Sequence, residues 1–210
     1  MTEVLSLSLI AVFIPTFFFI SVTPGMCMML AMTMGMTIGV KRTLWMMWGE
    51  LLGVGIVATA SVFGVATLML QYPNIFEIFK FVGGAYLGYL GLQMWLSKGK
   101  MAFNLDQPNQ QEAGALSLAC QGFVTAIANP KGWAFFISLL PPFINQALPL
   151  TPQLIMLLTM ILSIELLCLI LYAAGGSSLS KLLQQSGKVQ FLNRVSGSLM
   201  IAVGLWLAFG

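Results

Sequence analysis

Long apolar runs separated by short polar breaks organise this chain. Apolar character persists over residues 4–39, 43–70, 74–96, 116–140, 152–174 and 189–210. Each reads as a helix, because a hydrocarbon layer about 30 Å thick takes roughly 20 apolar residues in helical form. The first run is too long for one straight span, and Ser21-Val22-Thr23-Pro24-Gly25 falls near its middle. The fourth is interrupted in the same way by Ala128-Asn129-Pro130-Lys131 and ends at Pro141-Pro142. Proline lacks an amide donor and clashes with the preceding turn, so the pattern predicts two helices broken within the membrane. Gly175-Gly176 is expected to stop the fifth helix.

The same features recur at nearly fixed separation. Pro24 and Pro130 lie 106 residues apart, Glu50 and Glu165 115, Gly84 and Gly197 113, Gly91 and Gly204 113. Three unlike kinds of feature at near-constant offsets predict one unit used twice. The expected fold is an all-α integral membrane protein of six transmembrane helices, built as two inverted three-helix repeats. The first and fourth helices are the broken ones. Residues 1–96 would form the first repeat, 97–115 a cytoplasmic linker and 116–210 the second repeat, all in one membrane domain. Repeats with broken helices at matching places point to a transported-ligand site near the bilayer midplane.

Composition and charge add the setting. Hydrophobic residues make up 59% and charged residues 7%, against about 25% charged in an ordinary soluble domain. Glu3 and no basic residue precede the first apolar run, so no cleavable leader is expected. Lys41, Arg42, Lys98, Lys100, Lys181, Lys188 and Arg194 account for seven of the nine basic residues. With six spans all seven fall on one side, which marks it as cytoplasmic and places both termini outside. The net charge of +3 reflects those loops and gives no case for nucleic-acid binding. Without a nucleotide-binding motif or soluble domain, this chain alone is not expected to use ATP, and an enzyme is not expected.

Few residues remain that could carry chemistry. Pro24-Gly25 and Pro130 free backbone groups at membrane depth, tolerated only where protein or a watery cavity surrounds them. Packing kinks are the plainer reading of a single break; two in matching positions favour a site lined by Thr23, Pro24, Gly25, Asn129, Pro130 and Lys131. A lysine inside a span costs roughly 2.5–3.5 kcal/mol on insertion scales, so Lys131 is expected to face a cavity or a partner. That partner is a substrate carboxylate, Glu50 or Glu165, unless Lys131 snorkels to the surface. Glu50 and Glu165 are the acidic residues deep inside spans. A carboxyl balanced between low dielectric and a nearby lysine can take up and release protons, as a proton-coupled carrier requires. The plainer reading makes them polar glue between helices. Glu77 and Lys80 read as a boundary ion pair. Gly49-x-x-x-Gly53 and Gly84-x-x-x-Gly88 read as close helix contacts, and a homodimer interface is left open.

Two sharper readings are weaker. Met26 to Met36 is rich in methionine around Cys27, which would suit copper. Methionine also fills uneven helix contacts, and the chain has no His, so neither metal nor cofactor is expected. Cys27, Cys120 and Cys168 sit in apolar segments, where buried inert thiols are the ordinary outcome. A transmembrane thiol–disulfide conduit of the CcdA type resembles the two-halves layout. Its paired cysteines would need matching places, and Cys27 follows its proline while Cys120 precedes the other. A membrane subunit that transports nothing itself is the remaining alternative.

Thr23-Pro24-Gly25, Gly49-x-x-x-Gly53, Gly84-x-Tyr86-Leu87-x-x-x-Gly91 and Ala128-Asn129-Pro130-Lys131 with Phe135 beyond together resemble the LysE/RhtB family of amino-acid exporters over essentially the whole chain. The resemblance implies a multi-pass protein of the bacterial cytoplasmic membrane. It would export amino acids or related small metabolites, driven by the proton gradient, with membrane lipid around it. Met26 and Cys27 replace the Pro and the Asp or Asn that usually follow Ser-Pro-Gly, and Glu50 stands where the family pattern gives no carboxylate. Alternating access around a midplane cavity is the expected mechanism, with Glu50 and Glu165 as its proton-linked carboxyls.

Overall fold

The computed structural model describes residues 7–96, 113–145, 147–183 and 186–209. Eight α-helices follow one another among them: α1 Leu7–Val22, α2 Met26–Ile38, α3 Val40–Gln71, α4 Pro73–Leu96, α5 Ala115–Ile127, α6 Pro130–Leu139, α7 Leu150–Leu183 and α8 Ser186–Phe209. Most of the expected linker, residues 97–112, lies outside the described residues, as do the side chains of Glu77 and Lys80.

Both predicted breaks are present. Leu9–Val22 and Met26–Ile38 meet at 58°, and Ala115–Ile127 meets Lys131–Phe143 at 56°. The causes are local. Pro24 cannot continue α1, and Gly25 takes an extended backbone (φ −142°, ψ −174°) before α2 starts. At the second break Asn129 caps α6, its Oδ1 accepting from the Lys131 amide at 3.1 Å, with Pro130 in the first helical position. Proline is well placed there, since that amide would have no helical partner.

Two helices are long and apolar enough to cross a bilayer alone, over Val40–Gly64 and Leu150–Gly176, and each bent pair qualifies when taken as one span. The chain is thus an all-helical membrane protein. Along α3 the exposed residues Trp45, Trp48, Leu52, Ile56 and Phe63 fall on one face. An apolar stripe of this size fits hydrocarbon and not water. The opposite face buries Met46, Met47, Glu50, Val57 and Val62.

Glycine decides where helices touch. A Cβ on Gly84 would lie 2.5 Å from the Gly204 carbonyl, and one on Gly91 2.6 Å from the Gly197 carbonyl. These contacts run in opposite order along the two chains, so α4 and α8 cross antiparallel with backbones in touch. Gly49 and Gly53 meet α5 in the same manner, at Ala119 and Ala126. Gly88 departs from expectation: it faces open space, with nothing within 4 Å of an added Cβ. Gly84 pairs instead with the glycine seven residues on, which keeps the same helix face through two turns.

Gly175-Gly176 ends the fifth membrane-crossing helix as expected, the qualifying span being Leu150–Gly176. The chain turns sharply at Gly176 (φ 33°, ψ −115°) and continues helical to Leu183. Only a residue without a Cβ takes that φ at low cost, so the glycine stops one helix and a second helical piece begins beyond it. Lys181 is therefore in a helix and not in the expected loop.

The α4–α8 crossing gives a direct test. Gly91→Leu should lower the thermal midpoint in detergent by about 5 °C or more, through overpacking against Gly197. Gly88→Leu on the same helix should leave it unchanged within about 1 °C. Equal effects would show that the close approach is not what holds these helices together.

Candidate functional site

The two breaks meet at one chamber of about 60 Å³, room for a few water molecules. Phe17, Ile20, Val54, Val57, Phe135 and Phe136 form its apolar wall. Its polar groups are Ser21, Thr23, Cys27, Glu50, Asn129, Lys131 and Glu165. Gly25 sits directly against Lys131, whose Nζ would lie 3.7 Å from an added Cβ.

The carbonyls freed where α1 ends explain the arrangement. In an apolar medium each needs a donor. Ile20 O accepts from Lys131 Nζ at 3.1 Å, and Thr23 O accepts from the same ammonium at 3.5 Å. Val22 O accepts from the Tyr172 hydroxyl at 2.7 Å. Phe19 O lies 2.7 Å from Thr23 Oγ1 and 2.8 Å from Ser196 Oγ, and those two hydroxyls also touch each other; with one proton apiece, one donates to Phe19 O and the other either to the same carbonyl or to its fellow hydroxyl. Side chains from α6, α7 and α8 thus converge on the end of α1. A cation is well placed there, because the helix dipole leaves partial negative charge at a C-terminus.

The two carboxyls differ. Glu165 accepts from Ser21 Oγ at 2.7 Å. Glu50 is 0% exposed, and neither of its oxygens has a hydrogen-bond partner among the described residues. At the second break the backbone is satisfied nearer home. Trp133 Nε1 donates to Ile127 O at 2.8 Å, and Asn129 Nδ2 reaches Cys27 Sγ at 3.6 Å.

Of the eight residues singled out from sequence, Thr23, Gly25, Asn129, Lys131, Glu50 and Glu165 line the chamber. Pro24 sets the first break and is not part of its wall, and Pro130 opens α6 at the second, its side chain lying outside the described ones. Lys131 meets backbone carbonyls, and among the described residues no carboxylate lies within ion-pair distance of it. Freed carbonyls next door offered it a shorter reach than either glutamate. Cys120 is exposed, correcting the expectation that all three thiols are buried; Cys27 and Cys168 are buried as expected. Sequence reasoning missed Ser21, Tyr172 and Ser196. Tyr172 lies seven residues past Glu165, on the same face of α7, and that spacing was available as a signal. Ser196, beside the contact glycine Gly197, gave none.

Comparison with known proteins places this architecture. The family model described as LysE type translocator matches residues 18–210. The homoserine/homoserine lactone efflux protein of Salmonella typhimurium is 28% identical over 189 residues, covering 90% of each chain. A leucine efflux protein of an Enterobacter species is 28% identical over 133 residues, 61% of this chain and 60% of that one. An uncharacterized membrane protein of Vibrio cholerae is 24% identical over 188 residues, 90% of each. No solved structure matches.

Lys131→Met would strip the Ile20 and Thr23 carbonyls of a donor while keeping most of the side-chain volume. The unfolding free energy should fall by on the order of 2 kcal/mol, read from titration of mild-detergent micelles with a denaturing one. An unchanged midpoint would mean that water or a neighbour already satisfies those carbonyls.

Proposed function

This chain belongs to the LysE type translocator family, and from that membership we propose that it exports amino acids or related small metabolites in exchange for protons. The observation that carries the proposal is the pair of bent helices enclosing one chamber with one lysine and two glutamates in its wall. Efflux named for two relatives, of homoserine and its lactone and of leucine, supports the same substrate class.

The mechanism we put forward is alternating access. The six spans are α1–α2, α3, α4, α5–α6, α7 and α8, arranged as two inverted repeats over residues 1–96 and 116–210. Reciprocal contacts between Gly84 and Gly204 and between Gly91 and Gly197 fit such a pseudo-two-fold relation. The basic loops then face the cytoplasm and the termini the outer side of the bacterial inner membrane. As it stands the chamber is small for an amino acid, so loading requires it to widen. Movement of α2 is the simplest route. It is bounded by Gly25 and by Gly39, whose φ of 78° marks a flexible joint, and it rests on α7 just before the Gly176 kink. Opening on alternate sides would expose Thr23, Gly25, Asn129 and Lys131 to substrate. Glu50 and Glu165 would carry the protons, the Ser21 hydroxyl donating to Glu165 when that carboxyl is ionised.

Reconstituted vesicles test this. Preloaded amino acids should leave faster when a pH gradient is imposed. Glu165→Gln should abolish the gradient's effect, and Lys131→Ala should slow export by about tenfold or more. Export by both variants at the wild-type rate would sink the site assignment, and no export of any amino acid would sink the proposal itself.

A further inference from the structure

Charge is unbalanced in the chamber. Its wall contains one cationic side chain, Lys131 on α6, and two carboxyls, Glu50 on α3 and Glu165 on α7. Cys27 on α2 is the other titratable group lining it. Lys131 and Glu165, if both ionised, cancel each other. Glu165 also has the Ser21 hydroxyl to support its charge. Glu50 has no second cation and no hydrogen-bond partner among the described residues, its neighbouring polar groups being the Cys27 thiol and the Glu165 carboxyl, and both its oxygens are fully buried. An ionised carboxylate is not sustained in apolar surroundings without a partner, so it must share the chamber with either a proton or a cation. Isolation of this kind has no structural use that a leucine would not serve better.

We infer that Glu50 is the docking carboxyl for the protonated amine of the transported molecule, and that the amine exchanges there with a proton. The step balances. The carboxyl O–H bond breaks, its proton leaves through chamber water, and the incoming R–NH3+ pairs with the carboxylate; a simple amine leaves the chamber's charge unchanged, and an α-amino acid adds the one negative charge of its own carboxylate, which has Lys131 to face. One site that accepts either cation but not both couples their movements, with Glu165 as the neighbouring carboxyl through which the proton passes. The remaining wall sets the ligand class. Phe17, Ile20, Val54, Val57, Phe135 and Phe136 offer nothing to a polar side chain, so the favoured ligand is a primary amine or α-amino acid with an apolar body. This inference rests on the export reading and adds which group of the substrate is recognised, by which residue.

Three probes sharing one isobutyl body separate the possibilities: leucine, 3-methylbutylamine, which lacks the acid, and 4-methylpentanoate, which lacks the amine. Binding to the purified full chain in lipid nanodiscs is measured by calorimetry in buffers of different ionisation enthalpy. Leucine and 3-methylbutylamine should bind, each releasing about one proton, and 4-methylpentanoate should not compete. Glu50→Gln should weaken amine binding by about tenfold or more and abolish proton release. Because Glu50 donates no hydrogen bond to the fold, that variant should remain monodisperse. Should it aggregate, Glu50→Asp decides instead, since an acid at this position should keep proton release tied to amine binding. Undiminished amine binding by Glu50→Gln, amine binding without proton release in the wild type or in Glu50→Asp, or preferential binding of 4-methylpentanoate would overturn the inference. A wild-type chain that binds the amine with proton release, yet moves no amino acid in vesicles, would leave it standing and sink the export reading.

Discussion

A helix that stops inside hydrocarbon leaves carbonyls that water cannot reach, and much of this structure answers that one demand. Where α1 ends, the carbonyls of Phe19, Ile20, Val22 and Thr23 draw Ser196, Lys131 and Tyr172 from three other helices. The break is therefore the point at which the bundle is tied together, and not a flaw in one helix. The donors chosen are polar groups that also line or border the chamber, so satisfying the backbone and building a polar site are one act. A break without such partners would cost several kcal/mol per orphaned group.

The glycine contacts serve the same end. Side chains as short as Ser196 reach α1 only if the helices carrying them lie close. Backbone contact between α4 and α8 at Gly84–Gly204 and Gly91–Gly197 fixes α8 at short range, one residue from Ser196. On the other side Gly49, Gly53 and Gly122 hold α3 against α5 so that Glu50 and Ala126 share the chamber wall. In lipid, where apolar burial gives little drive for helix association, close packing of this sort supplies attraction.

Legibility in the sequence followed the kind of physics involved. Proline breaks and glycine pairing are local or nearly so, and Pro24, Pro130 and the matched glycines gave the bends and the α4–α8 contact. Gly176 was rightly read as a stop, but the helical piece that follows it to Leu183 was not foreseen, because the loss of Cβ that breaks a helix says nothing of what the chain does next. Gly88 failed because spacing by four marks a face but not whether another helix lies there. Lys131 was rightly placed in a cavity. Its partners were invisible, because carbonyl acceptors carry no residue identity and depend on where a helix ends. Cys120 was misjudged for a related reason: an apolar segment in a membrane has a lipid face as well as a buried one.

The two breaks match in sequence position and in angle, yet they are not chemically alike. Asn129 caps the second half-helix within its own break and leaves little for other elements to supply. Gly25 gives the first half-helix no side-chain cap, and the α1 end opposite relies, apart from Thr23, on donors from other helices. An inverted repeat with identical halves would build a chamber of symmetric polarity, indifferent to which end of a ligand entered first. Here the lysine lies against the open break, while the unsupported carboxyl comes from α3 in the other wall. That difference puts Lys131 beside Gly25 and leaves Glu50 to a different helix of the wall. The polar groups are thus distributed unequally between the two breaks, and matching sequence positions did not bring matching chemistry.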